Sequence, residues 1–488
     1  MKNLIPDFIQ DKFLEGQNNG TFKAYAMAID LSGFTALTNG LMKLGNRGAE
    51  QLSYILNEIF APLVEVVYEK GGFIPYYAGD AFTALFPDVG DNASPARLVE
   101  AAQGVRNLFS QREYKFDEYT IGLKIGLSYG EVMWGVVGGD KKAYYFRGEA
   151  IDNGSVCQLK ANNQDIIIDS ALREKLVDQQ LKLEEVSSGC YRLMADISPQ
   201  HSGWEHKSFA QPMKRDVLLH FLPEAVIDYN QEGEFRDVIA IFLSFEGVTS
   251  HQMMDEFATI LLNQVDIFSS YFKEIDFGDK GGVMVCFFGA PVSFENNSDR
   301  ALEFMYGLKN DLLDLQAHKG LQYKAGITFG TAYTGIVGGK ERCQYAAVGN
   351  RVNLAARLMV QADWGEVLVD AEMKKNHNFA FQHHGDIKYK GIADNVPTYK
   401  LIGRDQGLSI SYGGDMVGRE EELNKLVSFA EPLKSKKSVG IAYVYGEAGI
   451  GKSRLTHELR KNISRDQDLE WYFCQSDQIL RKPFNPFI

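Results

Sequence analysis

Lys124-Ile125-Gly126-Leu127-Ser128-Tyr129-Gly130 runs on to Gly135-Val136-Val137-Gly138-Gly139, and about 200 residues later Lys324-Ala325-Gly326-Ile327-Thr328-Phe329-Gly330 runs on to Gly335-Ile336-Val337-Gly338-Gly339. A repeat of this length decides the fold before any single residue does, and its period is far beyond the ~20–50 residues of solenoid units. The correspondence extends outward. Ala28-Ile29-Asp30-Leu31-Ser32 answers Ala240-Ile241-Phe242-Leu243-Ser244, Ala78 to Phe86 answers Lys280 to Phe288, and Ile166 to Asp169 answers Val367 to Asp370. The copies differ in chemistry. The first keeps Asp30 and Asp80 where the second has Phe242 and Gly282. The second keeps Asn353 and Arg357 where the first has Asp152 and Val156. Two copies that have divided one polar set point to a single composite site between them.

Each copy alternates apolar runs and helical periods. In the first, 22–29 reads as a buried strand delivering Asp30. Leu52, Ile55, Leu56, Ile59 and Phe60 follow at helical spacing. Phe73 to Tyr77, a turn at Ala78-Gly79-Asp80, and Phe82 to Phe86 read as a hairpin with Asp80 at its tip. A helix over 93–108 and two strands, 121–129 and 131–137, around a turn at Gly130 complete a βαββαβ order. That order predicts an α+β fold with ferredoxin-like sheets and helices on one face. The boundaries read as 1–200 for the first domain, 201–233 for an irregular connector, 234–405 for the second domain and 406–488 for a third unit.

The chain of 488 residues has room for about three domains. A net charge of −13 argues against nucleic acid or a membrane surface as partner. Met1 to Asp7 lacks the basic-then-apolar pattern of a signal peptide, and no apolar run reaches the ~18 residues of a membrane span. Five cysteines, with no CxxC pair, fit neither a disulfide framework nor a zinc site, so a cytoplasmic location is expected.

Asp30 at a strand end and Asp80 at a hairpin tip can converge in such a sheet, and paired hard carboxylates suit Mg²⁺ or Mn²⁺. Either acid alone would read as a turn or cap residue. Taken together, Ile29-Asp30-Leu31-Ser32-Gly33-Phe34-Thr35, Ala78-Gly79-Asp80 and Val348 to Arg357 resemble the class III nucleotidyl cyclases. The tandem arrangement followed by a phosphate-binding loop resembles the soluble adenylyl cyclase branch. The resemblance implies an intramolecular head-to-tail pseudo-dimer, working as a monomer, that turns ATP into 3′,5′-cyclic AMP and pyrophosphate. It implies two Mg²⁺ or Mn²⁺ ions on the set Asp30, Leu31 and Asp80. It also implies phosphate contacts from Ser32, Gly33, Phe34, Thr35 and Lys124, ribose orientation by Asn353, and transition-state charge met by Arg357.

For the base, the resemblance places Lys280 where adenylyl cyclases carry a lysine. Ala346 stands where an Asp or Thr is usual, which leaves a backbone carbonyl of Ala346 or Val348 for the adenine amino group. A guanylyl cyclase, or a non-catalytic nucleotide-sensing regulator, is the alternative. Tyr76 and Ser155 fall at the lysine and arginine through which the soluble branch binds bicarbonate, so that control is not expected here.

Gly446 to Ser453 fits GxxxxGK[ST] after the apolar run Gly440 to Tyr445, which reads as a strand. Gly446, Gly449 and Gly451 would let the backbone wrap phosphate, with Lys452 on the β/γ oxygens and Ser453 on Mg²⁺. This third unit reads as the start of an α/β P-loop NTPase domain that takes a second nucleotide and continues beyond residue 488.

Overall fold

The computed structural model describes residues 2–79, 81–91, 94–112, 115–116, 119–177, 181–196, 213–231, 233–278, 281–390, 392, 394–404, 416, 418–435, 437–446 and 450–463. The chain divides into two compact units, Met1–Arg404 and Asp405–Ile488.

The first unit holds two eight-stranded sheets with one topology, besides the small pair Lys115–Phe116 and Tyr119–Thr120. In the first sheet the order is Tyr77–Ala78, Ala81–Pro87, Asn19–Ser32, Gly122–Val137, Ile166–Asp169, Cys190–Leu193 and Leu183–Ser187, with Ala143–Arg147 also paired to Gly122–Val137. The second repeats it as Tyr271–Gly278, Gly281–Phe288, Glu234–Glu246, Gln322–Gly338, Val367–Asp370, Val396–Arg404 and Phe379–Ile387, with Cys343–Val348 on Gln322–Gly338. The repeat read from the sequence is therefore a repeat of fold. Even a detail recurs: Asp169 accepts from the Leu172 amide at 2.8 Å and Asp370 from the Met373 amide at 3.0 Å, each capping the turn that follows its strand.

The shared glycines explain why the opening stretches read alike. A Cβ on Gly126 would lie 2.2 Å from the Gln158 amide, and one on Gly326 would lie 2.1 Å from the Ala355 carbonyl oxygen. The helices Glu149–Lys160 and Asn350–Gln361 rest on their sheets at these points, backbone to backbone, and only glycine admits that approach. The paired glycines at the strand ends do the same between halves. Gly339 meets Val64 and Ala61 of the first half's helix Asn46–Glu69, and Gly138 meets Leu262 of the second half's helix His251–Ile267.

Helix Asn46–Glu69 holds its place by its apolar stripe. Leu52, Leu56, Ile59, Phe60, Leu63, Val64 and Val67 are fully buried, each worth about 1.5–3 kcal/mol of transfer free energy. Its counterpart His251–Ile267 starts at Ser250, whose hydroxyl accepts from the Met253 amide at 3.2 Å, and buries Met254, Phe257 and Leu261.

Three expectations change. Gly130 makes no turn: Gly122–Val137 is one continuous strand with Gly130 paired to Ala24. A Cβ there would press on the Ala150 amide at 2.9 Å, so this glycine serves helix packing too. The segment read as an irregular connector contains helices Arg215–Phe221 and Glu224–Ile227, and Val217, Leu218, Val226 and Ile227 join the core. In the second unit, Gly440 to Tyr445 is not a paired strand among the described residues, and Ile441, Tyr443 and Tyr445 are 79%, 84% and 92% exposed. That unit's described core is helix Glu420–Ala430 against helix Lys452–Ile463, through Ala430, Leu459 and Ile463.

Candidate active site

Asp30 sits near the end of its strand, opposite Ala81 on one side and Lys124 on the other. Cross-strand neighbours of opposite charge share a face, and both line a cleft of about 530 Å³. Burial raises the Asp30 carboxyl above the usual carboxylate range, and the ammonium groups of Lys124 and Lys390 pull it back down. The cleft runs between the halves. The first contributes Ala28, Phe34, Thr38 and Gly79 beside Asp30 and Lys124; the second contributes Val348, Gly349, Asn350, Asn353 and Lys390.

Local structure puts each group there. Leu31 is buried behind Asp30, and Ser32 ends the strand. Gly33 then turns the chain into helix Phe34–Met42, which spans Thr35, so the first peptide N–H groups of that helix stand at the cleft edge beside Phe34. On the other side, Gly349 leads into helix Asn350–Gln361, whose Val352, Asn353, Ala356 and Met359 form one wall. Asn353 and Arg357 stand one turn apart on that helix, as the sequence requires. Arg357 is half-buried, which lowers its guanidinium pKa, and it lies beside the cleft wall rather than on it.

No hydrogen bond or ion pair joins the side chains of Lys124, Asn353, Arg357 or Lys390 to another protein group among the described residues, and the Asp30 carboxylate accepts none. Polar groups left without partners in a cleft are what a ligand site requires. Asp30 is also a suitable donor for a hard divalent cation, being an oxygen anion open to the cleft. Among the described residues no cluster of three acidic, histidine or cysteine side chains forms around it.

Asp80 and Lys280 lie outside the described residues, and so does Gly449. The described neighbours pair Ala78 with Ala81, and Gly79 has a left-handed φ. Ala346 is a correction. It is buried in the pairing of Cys343–Val348 with Gln322–Gly338, opposite Gly335, and does not line the cleft, whereas Ala347 and Val348 do. Sequence reading missed Lys390, which follows strand Phe379–Ile387; only the Lys388-Tyr389-Lys390 turn marked it.

At the opposite end of the cleft, Tyr76 is buried and its hydroxyl accepts from the Phe277 amide at 3.4 Å, while Ser155 donates to the Ile151 carbonyl at 3.0 Å. Neither supplies charge. Phe242 lines this end, Gly282 does not, and Asp152 and Val156 also stay off the cleft wall. The cation here, Lys273, is already paired with Glu274. In the second unit, Lys452 opens its helix and donates to the Gly446 carbonyl at 3.0 Å; Gly451 has a positive φ, and the Ser453 side chain lies outside the description.

Residues 252–403 match the adenylate and guanylate cyclase catalytic domain family, and residues 415–488 match the AAA ATPase domain family. The chain is 26% identical to adenylate cyclase type 10 of Rattus norvegicus, over 92% of this chain and 31% of that protein. To the Homo sapiens adenylate cyclase type 10 it is also 26% identical, over 89% of this chain and 30% of that one. It thus spans about a third of the length of these relatives. Among solved structures, a class III adenylyl cyclase-like ATP-binding protein from Pseudomonas aeruginosa aligns with a TM-score of 0.53 at 11% identity, over 73% of this chain and 85% of that one. No helix among the described residues is long and apolar enough to cross a membrane. The second half thus matches the adenylate and guanylate cyclase catalytic domain family, the first half repeats its sheet topology, and the segment after them matches the AAA ATPase domain family.

Proposed function

We propose that the cleft is a single composite adenylyl cyclase site, formed within one chain by a head-to-tail pseudo-dimer of the two halves. The observation that carries this is the meeting of Asp30 and Lys124 from the first half with Asn353 and Lys390 from the second, none of whose side chains is hydrogen-bonded or ion-paired to another protein group among the described residues. The exchange of packing between each paired glycine and the other half's long helix supports the head-to-tail arrangement.

The reaction is attack of the ribose O3′ on the α-phosphorus of ATP. The O3′–P bond forms as the 3′-hydroxyl gives its proton to water, the bond from that phosphorus to the bridging oxygen breaks, and pyrophosphate leaves. Lys124 and Lys390 balance the triphosphate charge from opposite walls, and the peptide N–H groups at the start of helix Phe34–Met42 receive phosphate oxygens. Asn353 orients the ribose. Arg357, one turn on, swings in to meet charge that grows on the phosphoryl oxygens. Asp30, with Asp80 and the Leu31 carbonyl, would hold two Mg²⁺ or Mn²⁺ ions, which supply charge neutralisation and a more acidic O3′. The backbone carbonyls of Ala347 and Val348 would accept from the adenine amino group in place of a side chain at Ala346, and Lys280 would favour ATP over GTP.

The domain reading is a first cyclase domain over 1–200, a second over 234–405, and a nucleotide-binding third unit from 406. A second reading, nucleotide binding without turnover, draws on the position of Arg357 off the cleft wall. One assay separates the readings: purified protein with Mn²⁺ and either ATP or GTP, products resolved by chromatography. Cyclic AMP from ATP in excess over cyclic GTP from GTP supports the proposal. Nucleotide retained without cyclic product supports the second reading.

A further inference from the structure

The strand Tyr77–Ala78 is the edge of the first sheet and only two residues long. So short an edge cannot hold itself rigid, and its outward peptide groups would normally be left to water. Here they are not. The Tyr77 amide donates to Oε1 of Gln344 at 3.0 Å, and the Tyr77 carbonyl oxygen accepts from Nζ of Lys273. Gln344 donates from Nε2 to Oε2 of Glu274 at 3.1 Å, and Lys273 pairs with the other Glu274 oxygen. Tyr77, Gln344, Glu274 and Lys273 thus close a ring. All three side chains are buried and belong to the second half, on strands Cys343–Val348 and Tyr271–Gly278. They take the place of a neighbouring strand.

A buried ion pair is a poor source of stability, because desolvating both charges offsets their attraction. Its use here is geometric. Beside Tyr77, Ala78 pairs with Ala81, and Ala81 pairs in turn with Asp30. The ring therefore fixes the strand pair beside Asp30 directly against the half that carries Asn353 and Arg357.

We propose that Lys273, Glu274 and Gln344 are positioning residues, which hold the hairpin between Tyr77 and Phe82 in register with the second half and so set the affinity of the composite site for its divalent cation. The proposal rests on the composite-site reading. Its test is Mn²⁺ binding to the full chain, followed by electron paramagnetic resonance of unbound Mn²⁺ in the presence of α,β-methylene-ATP, beside the Mn²⁺ dependence of turnover.

Gln344→Leu should weaken Mn²⁺ binding about tenfold, the scale on which outer-shell partners of a metal site act, and shift the Mn²⁺ dependence of turnover by the same factor. Lys273→Arg, which keeps a donor for the Tyr77 carbonyl, should stay within about threefold of wild type on that scale. The Lys273→Met, Glu274→Leu double variant leaves no lone buried charge and should match Gln344→Leu. Binding titrations report on folded molecules alone, so a loss of folded fraction does not mimic the shift. Unchanged Mn²⁺ affinity in Gln344→Leu and in the double variant overturns the proposal, whatever happens to thermal stability. A wild-type protein that binds Mn²⁺ with the analogue but makes no cyclic nucleotide contradicts the cyclase reading, while the binding data still decide the ring.

Discussion

Arg342, in the second half, donates from Nη2 to the carbonyl oxygen of Pro75, in the first, at 2.8 Å. The same guanidinium, wholly buried, reaches the Ile74 carbonyl at 3.1 Å, the Leu4 carbonyl at 2.8 Å and the Tyr144 hydroxyl at 3.1 Å. Its planar fork solvates itself with carbonyl dipoles drawn from both halves and the N-terminal segment, a pattern an ammonium cannot span. Arg342→Met should therefore cost about 3 kcal/mol or more, from several buried acceptors stranded at once. Arg342→Lys should recover less than half of that. Urea denaturation measures both, and an Arg342→Met loss under about 0.5 kcal/mol, the range of ordinary surface changes, would remove this residue from the account of the joint.

Asp30→Asn should abolish cyclase activity without unfolding the protein, since the amide keeps the shape and loses the anionic oxygen that a divalent cation needs. Asp80→Asn should do the same. Activity near the wild-type level in either, with Mn²⁺ saturating, contradicts the metal assignment.

Arg357→Ala should lower kcat by about 10²–10³, the scale for removing one transition-state donor, with a smaller change in KM. The half-buried, unpartnered guanidinium beside the cleft motivates this. A variant altered in KM alone would show that Arg357 binds substrate and transition state equally.

Asp7 gives a pH test of stability. Its carboxyl is pushed up to about 6, chiefly by burial and then by Asp11, with Arg342 opposing, and Oδ2 has no hydrogen-bond partner among the described residues. The folded state holds the proton more tightly than the unfolded one, so the stabilisation is complete below the unfolded value near 3.8 and is lost as pH rises through 6. Asp7→Asn should accordingly be more stable than wild type at pH 8, by about 1–2 kcal/mol. The two should converge by about pH 4. Thermal unfolding across that range checks it, and a constant difference would place the effect elsewhere.

The repeat was legible because packing wrote it twice. Gly126 and Gly326 sit under helices, and Asp169 and Asp370 cap turns, so each pair answers one local demand. The same reasoning explains the misreading of Gly130, whose glycine serves a helix contact inside a straight strand. Asn353 and Arg357 were legible by helical spacing. Lys390 was not, because its place depends on a loop brought to the cleft by strand pairing far along the chain. Ala346 was assigned by position alone, and Ala347 and Val348, at the end of that strand, line the cleft instead. Helices Arg215–Phe221 and Glu224–Ile227 were missed because seven and four residues are too few to show a period.

The central claim is one composite site per chain. Its most direct measurement is cyclic AMP formation by Asp30→Asn and Arg357→Ala proteins, alone and mixed in equal amounts, beside wild type diluted to nanomolar concentration. A site completed within each chain predicts that both variants stay inactive together and that wild-type specific activity holds on dilution. Recovery of activity in the mixture, or its collapse on dilution with adsorption excluded, would mean that the site is completed between chains.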